Sequence, residues 1–413
     1  MTPAIGLALH PNLDYLERVA PLLERDVDVL EVAPETTWYL DPRGELRPNG
    51  YHARFLALAA RHDLPFIAHG VGLSPGSAGG PARRRRWLDR LAADHQRFQF
   101  RWYTDHLGAS VLADHELALP IGLPMTATSV AIVRASLADM QRVVPCVGLE
   151  NSAFYFTIGD PQAEPDFVRS CIGGDHHLLL DLHNLHTMAE NLGQDPDAYL
   201  ARLDLDRVLE IHLSGGSTTD PAWFTGPPRR LDSHDDLVPE PVWQLFERIL
   251  PRCPGLRAVI VERMDDSLGP GDELLLREEL RRARQLVHRL HRPGTPPTRP
   301  TPTVSIAPED RAAALAHERR LAAILRADDP LAALADCHDP GLRAIDEAGL
   351  RLAALLIARL RFERLQHGDP AAHQHFERDP AGFADRFRRY HHAVAPTAAF
   401  PQDEAALYRG FSG

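Results

Sequence analysis

Short apolar runs recur along the first 290 residues of the chain, and longer polar segments separate them. The runs do not alternate between apolar and polar positions, which is typical of strands buried on both faces in a parallel sheet. The pattern predicts eight such strands: Ile5–Leu9, Val27–Val32, Pro65–Leu73, Trp102–Leu107, Val144–Asn151, His177–Asp181, Val208–Ser214 and Ala258–Arg263.

The intervals between these runs carry apolar residues at helical spacing, for example in Leu13–Leu23, Ser129–Val143 and Glu273–Leu290. Strands that alternate with helices eight times predict an α/β fold of the TIM (β/α)8 barrel type. The structural alternative is a doubly wound open sheet, which usually has fewer strands and a glycine-rich phosphate turn. No G-x-G-x-x-G motif follows the first strand, so the barrel is favoured for residues 1–290.

The composition changes after residue 290. Residues 291–304 are dense in proline, which cannot donate to helix or sheet ladders, and we interpret them as an extended linker. Alanine, leucine and arginine at helical periods follow, as in Arg311–Arg326 and Ile345–Leu365. Residues 305–413 are therefore expected to form a small all-α C-terminal domain.

Composition narrows the class of protein. The net charge of -12 argues against nucleic acid as the main partner, and no window has the roughly 18 consecutive apolar residues of a membrane span. The N-terminus matches a first strand better than an export signal, so we expect a cytoplasmic protein. The four cysteines are widely spaced and indicate reduced thiols. The chain has no lysine, which excludes a lysine Schiff base and a P-loop lysine.

Potential metal ligands stand at or near the carboxyl ends of six predicted strands. These residues are His69, His106, Glu150, Asp181, His212 and Glu262. Asp232 and His234 add an Asp-x-His pair after the seventh strand, and His183 and Asn184 follow Asp181. The strand ends of a barrel converge on one face, so these side chains should meet there.

A single histidine or glutamate at a strand end usually has a structural explanation, such as a hydrogen bond at the rim of the core. Four carboxylates buried together without cations would cost several kcal/mol each, so the set as a whole favours metal. Imidazole nitrogen and carboxylate oxygen ligands suit iron, manganese or zinc, and their number suits more than one ion.

Seven segments then look familiar as a set. His-Gly-Val-Gly-Leu-Ser at 69–74, Asp-His-Leu at 105–107, Leu-Glu-Asn-Ser at 149–152 and Leu-Leu-Asp-Leu-His-Asn at 179–184 resemble the multinuclear non-haem iron-dependent oxidases, which include oxidases of methanobactin biosynthesis. Glu-Ile-His-Leu-Ser-Gly at 210–215, Asp-Ser-His at 232–234 and the strand that carries Glu262 complete the resemblance. It extends over roughly residues 4–290, with every motif in the expected order.

The resemblance implies a TIM barrel with two or three iron ions in mixed Fe(II)/Fe(III) valence and O₂ as co-substrate. It implies that His69, His106 and Glu150 hold one iron, and that Glu150, Asp181, His212 and Glu262 hold its neighbour. Asp232 and His234 would hold a third, with a ligand that follows Asp181. Relatives often carry Asp-x-Asn-Asn where this chain has Asp181-Leu-His183-Asn184, so both His183 and Asn184 stay candidates for that ligand.

The resemblance also implies a substrate and a partner. Characterised members oxidise cysteine, and sometimes Asp or Asn, in ribosomally made precursor peptides of natural-product (RiPP) pathways, and many need a small protein that delivers the peptide. Residues 305–413 could be a fused version of that partner, with the aromatic and basic block Phe376–His392 gripping the peptide, or a helical appendage for dimerisation or solubility.

Two other classes fit the ligand set. One is a metal-dependent isomerase or hydrolase of the xylose isomerase or endonuclease IV kind, and the other is a metal-binding module without catalysis. The acidic charge disfavours an endonuclease, because DNA binding needs a basic surface.

Overall fold

Eight parallel strands form a closed barrel in the computed structural model, which describes residues 2–294 and 305–412. The predicted TIM barrel is confirmed. In chain order the strands are β1 (Ala4–Leu9), β2 (Val29–Val32), β3 (Trp38–Leu40), β4 (Leu46–Pro48), β5 (Phe66–Gly70), β6 (Tyr103–His106), β7 (Ala109–Leu112), β8 (His115–Ile121), β9 (Val147–Glu150), β10 (His177–Asp181), β11 (Val208–Leu213) and β12 (Ala258–Val261). The hydrogen-bonded order around the barrel is β1-β12-β11-β10-β9-β6-β5-β2.

Helices cover the outside of the barrel and form the C-terminal region. They are α1 (Leu13–Leu23), α2 (Gly50–His62), α3 (Pro81–Phe98), α4 (Ala127–Gln141), α5 (Glu164–Cys171), α6 (Leu182–Leu192), α7 (Pro196–Arg202), α8 (Glu240–Ile249), α9 (Asp272–Leu290), α10 (Pro308–Leu325), α11 (Pro330–Ala335), α12 (Pro340–Arg343), α13 (Glu347–Gly368), α14 (Pro370–Arg378), α15 (Pro380–Ala393) and α16 (Pro401–Arg409). No helix within the described ranges is long and apolar enough to cross a membrane.

The apolar runs form strands because both of their faces are buried. Every residue of β2, β9, β11 and β12 is buried, as expected for strands between a packed interior and a layer of helices. A separate apolar cluster includes Val29, Ile67 and Ile260, each two residues before a carboxylate or histidine that lies on or directly after the same strand. Side chains two residues apart on a strand share one face, so an apolar layer lies directly below the polar strand ends.

Three features of the barrel region were not predicted from the pattern. Helix α6 begins directly after β10, with Asp181 as its N-cap: the carboxylate of Asp181 accepts a hydrogen bond of 2.6 Å from the backbone N–H of Asn184. The antiparallel hairpins β3–β4 and β7–β8 are the other two, and both follow carboxyl ends of barrel strands. β3, β4 and β7 are only three or four residues long, and polar residues interrupt β8, so none of them stands out as an apolar run.

The C-terminal helices pack onto the barrel. Residues 295–304, most of the predicted linker, lie outside the described residues, while 305–412 begin with a short extended stretch and continue as α10–α16. Helix α10 packs on β7 and α4, and α13 packs on β8. Leu325, Leu350 and Phe400 belong to the same hydrophobic cluster as the barrel core. The region is therefore joined to the barrel by shared apolar burial as well as by the chain.

The aromatic block that was expected to grip a peptide is instead the core of the C-terminal region. Phe383, Phe387, Tyr390 and Tyr408 are buried against one another and against Leu365. The rings pack edge-to-face or tilted, as in the pairs Tyr390–Tyr408 and Phe383–Tyr408. This part of the sequence interpretation was wrong, because helical aromatic spacing reports a buried face as readily as a binding face.

A buried carboxylate joins the two regions. Glu318 of α10 is 7% exposed, and its two oxygens accept hydrogen bonds from the backbone N–H groups of Ala78 and Ala113 in the barrel loops. We expect Glu318→Ala to lower the free energy of unfolding by about 2–6 kcal/mol, since it orphans two buried donors at about 1–3 kcal/mol each. Denaturant unfolding of the full chain measures this loss. The control is Arg319→Ala at the exposed neighbouring position, and an equal effect in both variants would contradict the assignment.

Candidate metal centre

The barrel brings together the six ligands expected at strand ends. His69, His106, Glu150, Asp181 and His212 lie on β5, β6, β9, β10 and β11, and Glu262 directly follows β12. All are buried except His106, whose side chain is 18% exposed. The strand register explains their proximity, because His106 pairs with Glu150 and Asp181 pairs with His212 on adjacent strands.

Two histidines face one oxygen of Glu150. The Nε2 atoms of His69 and His106 lie 3.2 and 3.1 Å from Glu150 Oε2. Each ring is oriented from its other nitrogen: His69 Nδ1 lies 2.9 Å from Thr104 Oγ1, and His106 Nδ1 lies 3.3 Å from the carbonyl oxygen of Gly70. A backbone carbonyl can only accept, so the ring of His106 carries its proton on Nδ1 and offers Nε2 as a ligand.

The second oxygen of Glu150 faces another group of ligands. Glu150 Oε1 lies 3.8 Å from His212 Nδ1, and His212 Nδ1 lies 2.9 Å from Glu262 Oε2. Ligand atoms of Glu150, Asp181 and His212 all lie within 4.8 Å of one another, as do those of His69, His106 and Glu150. Glu150 is common to both groups, which is the arrangement of a carboxylate that bridges two ions.

A third group lies beside the second. Ligand atoms of Asp181, His234 and Glu262 also fall within 4.8 Å of one another. His234 Nε2 lies 2.8 Å from Asp232 Oδ1, and His183 Nδ1 lies 3.6 Å from the same oxygen. The predicted Asp-x-His pair therefore does reach the cluster, from a loop rather than from a strand.

The two candidates that follow Asp181 point in different directions. His183 faces Asp232, whereas Asn184 directs its amide nitrogen to Glu150 Oε1 at 3.2 Å and to the carbonyl oxygen of Asn151 at 3.1 Å. His183 is thus placed beside the third group, and Asn184 is placed to orient the carboxylate of Glu150.

Burial sets the electrostatics of the centre. Burial, reinforced by neighbouring carboxylates, raises the pKa of Asp181 to about 8, and burial raises the pKa of Glu150 to about 7. Burial also lowers the pKa of His69 to about 4, with His212 adding to the effect. Burial would raise the pKa of Glu262 too, but the charges of His212 and His234 outweigh it and hold that pKa below its usual range. Without cations the carboxylates cannot all be charged at neutral pH, so cations would relieve a real cost.

The polar atoms left unpaired test whether metal fits here. Glu150 Oε2, Asp181 Oδ2, His212 Nδ1 and Glu262 Oε2 are all buried. His212 Nδ1 lies 2.9 Å from Glu262 Oε2, yet none of the four atoms makes a hydrogen bond of good geometry within the described residues. Buried polar atoms normally do have partners, and these four converge on the same small volume. A nitrogen and oxygen donor set without thiolate fits iron, manganese or zinc.

Two buried carboxylates below the centre were not proposed as functional residues from the sequence. Glu31 Oε2 lies 3.1 Å from His212 Nε2, and Glu210 Oε1 lies 3.6 Å from the same nitrogen. The indole N–H of Trp102 donates to Glu210 Oε2 at 2.8 Å. The available signal was a charged residue inside an apolar strand run, together with the two-residue spacing between Glu210 and His212, which puts both on one face.

Fold and site together define a (β/α)8 barrel with a candidate metal centre at the carboxyl ends of its strands. A family model described as RiPP precursor modification enzyme MbnB/TglH/ChrH matches residues 4–288. A "UPF0276 protein" of Caulobacter vibrioides is 38% identical over 288 residues, which are 68% of this chain and 93% of that protein. A "UPF0276 protein" of Rhizorhabdus wittichii is 34% identical, over 69% of this chain and 94% of that protein.

The chain belongs to this family of RiPP precursor modification enzymes, and the family resemblance seen in the sequence is confirmed. The match ends at residue 288, before the C-terminal helical region.

Solved structures of other barrels are also similar. Endonuclease IV from Thermus thermophilus aligns with a TM-score of 0.42 and 16% identity, covering 70% of this chain and 100% of that one. D-Psicose 3-epimerase from Clostridium cellulolyticum aligns with a TM-score of 0.42 and 14% identity, covering 70% of this chain and 99% of that one.

The contact between Glu31 and His212 predicts a role in metal affinity. A carboxylate that accepts the Nε2 proton of His212 holds Nδ1 toward the metal side, and loss of such a partner typically costs about 10–100-fold in metal affinity. We therefore expect Glu31→Ala to weaken ferrous-ion binding by that factor, and Glu31→Gln to lose less, because its carbonyl oxygen still accepts. Anaerobic ferrous-ion titration of the full chain measures both, with Glu45→Ala on the exposed β3–β4 turn as control. Unchanged affinity in Glu31→Ala would rule out this role.

Proposed function

We propose that the protein is an O₂-dependent multinuclear iron oxidase that modifies a residue of a ribosomally made precursor peptide, most readily cysteine, with Asp or Asn as the other targets. The observation that carries the proposal is the carboxylate of Glu150, which faces two histidines with one oxygen and His212 with the other. This arrangement suits adjacent redox ions, and membership in a peptide-modifying family supplies the substrate class.

In this proposal the ligands divide among the ions by position. His69, His106 and Glu150 hold one iron, and Glu150 shares its second oxygen with the neighbouring ion. The ligands of that neighbour are Glu150, Asp181, His212 and Glu262, and those of a third ion are Asp232, His234 and His183, with Asp181 and Glu262 close by. Bound iron would supply one-electron chemistry with dioxygen.

The chain's own groups prepare the centre for this chemistry. Thr104 and the carbonyl of Gly70 fix the rings of His69 and His106, so that both Nε2 atoms face the same volume. The amide of Asn184 holds Glu150 in its bridging orientation. Ligands fixed in advance need little rearrangement as electrons move, which favours redox catalysis over simple metal storage.

Isosteric substitution of Glu150 tests the proposal. The anaerobically prepared full chain should contain at least two iron ions, consume O₂ and change the mass of a peptide encoded beside it. Glu150→Gln should lose more than one iron per chain and the activity, because a neutral amide is a poor bridge between cations. The matched control is Glu164→Gln, a buried carboxylate bonded to Gln194 outside the cluster.

Two outcomes would contradict the proposal. Full iron content in Glu150→Gln would overturn the ligand assignment. Activity with zinc or manganese alone, without consumption of O₂, would overturn the oxidase chemistry and leave the isomerase or hydrolase class.

We also propose that residues 305–413 contribute to holding the peptide. The support is their position, because they contact the loops that follow β5, β6, β9 and β11 at the carboxyl-end face of the barrel. With the aromatic block buried, the candidate surface lies on α13. Arg351, Leu355 and Arg359 are exposed at four-residue spacing and therefore share one face of that helix.

Leu355→Asp tests this surface. Leu355 is 38% exposed, so the substitution should leave the fold and the iron content intact while it weakens peptide binding at least about 10-fold, which corresponds to about 1.4 kcal/mol of lost apolar contact. The control is Leu274→Asp on α9, which is 56% exposed on the barrel. Fluorescence anisotropy of a labelled precursor peptide gives both affinities. Equal affinities for the Leu355 variant and the unmodified chain would leave this region without a role in peptide binding.

A further inference from the structure

The loop between β11 and α8 carries Asp232 and His234, the most exposed ligands of the cluster, with side chains 19% and 24% exposed. His234 also has a backbone φ of 50°, a left-handed conformation that a residue with a side chain adopts only when its surroundings hold it there. The position of these two ligands therefore depends on what braces the loop.

We infer that the first turn of α13, in the C-terminal region, is a built-in brace for the third metal site, so that this region is a structural part of the metal centre. The inference rests on the proposed function for the identity of the metal, but the contacts that carry it concern only the described residues. Two independent connections join α13 to the Asp232 loop.

The first connection is an ion pair between the two regions. Asp346 caps α13 by accepting a hydrogen bond of 2.8 Å from the backbone N–H of Gly349, and the same oxygen lies 2.6 Å from Arg229 Nη2. Arg229 stands three residues before Asp232, and its side chain is 10% exposed. Its other Nη atom donates to the carbonyl oxygen of Asn191, at the end of α6. Arg229 thus links the Asp232 loop to both α13 and α6.

The second connection runs through Tyr155, in the loop that follows β9. The backbone of Gly349 lies so close to the carbonyl oxygen of Tyr155 that a Cβ atom there would overlap it. The hydroxyl of Tyr155 in turn accepts a hydrogen bond of 3.3 Å from the backbone N–H of Asp232. Tyr155 is buried, so displacing its backbone would also move the hydroxyl that holds Asp232.

Both connections begin within the first turn of α13, and both end at the Asp232 loop. A further hydrogen bond of 3.1 Å, from Arg351 to Thr225 Oγ1, ties the next turn of α13 to the same loop. The ligands of the other two ions stand on or directly after barrel strands, where the sheet itself holds them. The third site should therefore be the only one of the three proposed sites that responds to changes in α13.

Gly349→Ala tests the inference in the full chain. The added methyl group must push α13 and Tyr155 apart. We expect the affinity for the ferrous ion that binds last to fall by about 10-fold or more, while the other ions stay bound. The matched control is Gly341→Ala in α12. An added Cβ atom there would have Asp339 Oδ1 as its nearest neighbour, at 3.4 Å, and would therefore fit without overlap. Anaerobic ferrous-ion titration gives the stoichiometry and the affinities of both variants.

A second variant covers the case in which Gly349→Ala disturbs folding. Asp346→Asn keeps an N-cap for α13 but removes the charge that faces Arg229. The control is Glu240→Gln, which removes a charge of the same kind from the exposed Arg282–Glu240 pair. We expect hydrogen exchange in residues 217–234 of the metal-free chain to speed up in Asp346→Asn and not in Glu240→Gln.

The outcomes separate this inference from the proposed function. Unchanged binding of the last ion together with unchanged exchange in 217–234 overturns the brace, whatever the activity. Loss of all ions in Gly349→Ala, in a chain that remains folded, also overturns it, because the third site would then not be separable. A chain with the expected metal response that fails to oxidise any peptide supports the brace and contradicts the oxidase.

Discussion

The arrangement of the site depends above all on the free-energy cost of burying several carboxylates next to one another inside a barrel. Glu150, Asp181 and Glu262 come from three different strand ends and lie buried close together there. Burial raises the pKa of both Glu150 and Asp181, and neighbouring acids raise both further. The histidines between them offset part of this cost, and cations would offset the rest. We interpret the surrounding polar groups as partners that orient the candidate ligands toward those cations.

Those partners are arranged in layers along the barrel axis. An apolar cluster that includes Trp102 and Ile260 packs the interior, Glu31 and Glu210 lie between it and His212, and the ligands occupy the carboxyl ends. The indole N–H of Trp102, a member of the apolar cluster, donates a hydrogen bond to the carboxylate of Glu210. Each layer therefore limits the orientations open to the one above it, and this restricts the ring of His212.

The C-terminal region extends this support to the part of the site that the barrel does not hold. Its apolar residues complete the hydrophobic core of the barrel, and Glu318 satisfies backbone amides in two barrel loops. The family match ends at residue 288, so these contacts come from helices that lie outside the matched part of the chain.

The sequence by itself determined the barrel and the position of the candidate ligands at its strand ends. Apolar runs buried on both faces have a local signature, and parallel strands in a barrel bring their carboxyl ends together whatever the details of packing. Those two facts were enough to bring His69, His106, Glu150, Asp181, His212 and Glu262 into one cluster.

Only the tertiary structure decided the rest, because it depends on which way side chains point and on what lies beside them across the fold. The direction of His183 toward Asp232 and of Asn184 toward Glu150 follows from helix α6 starting at Asp181. The approach of Glu31 to His212 joins residues far apart in the chain. Phe383 and Tyr390 are buried, but their helical spacing is the same as that of an exposed binding face. Periodicity reports which residues share a face, and packing alone decides what that face meets.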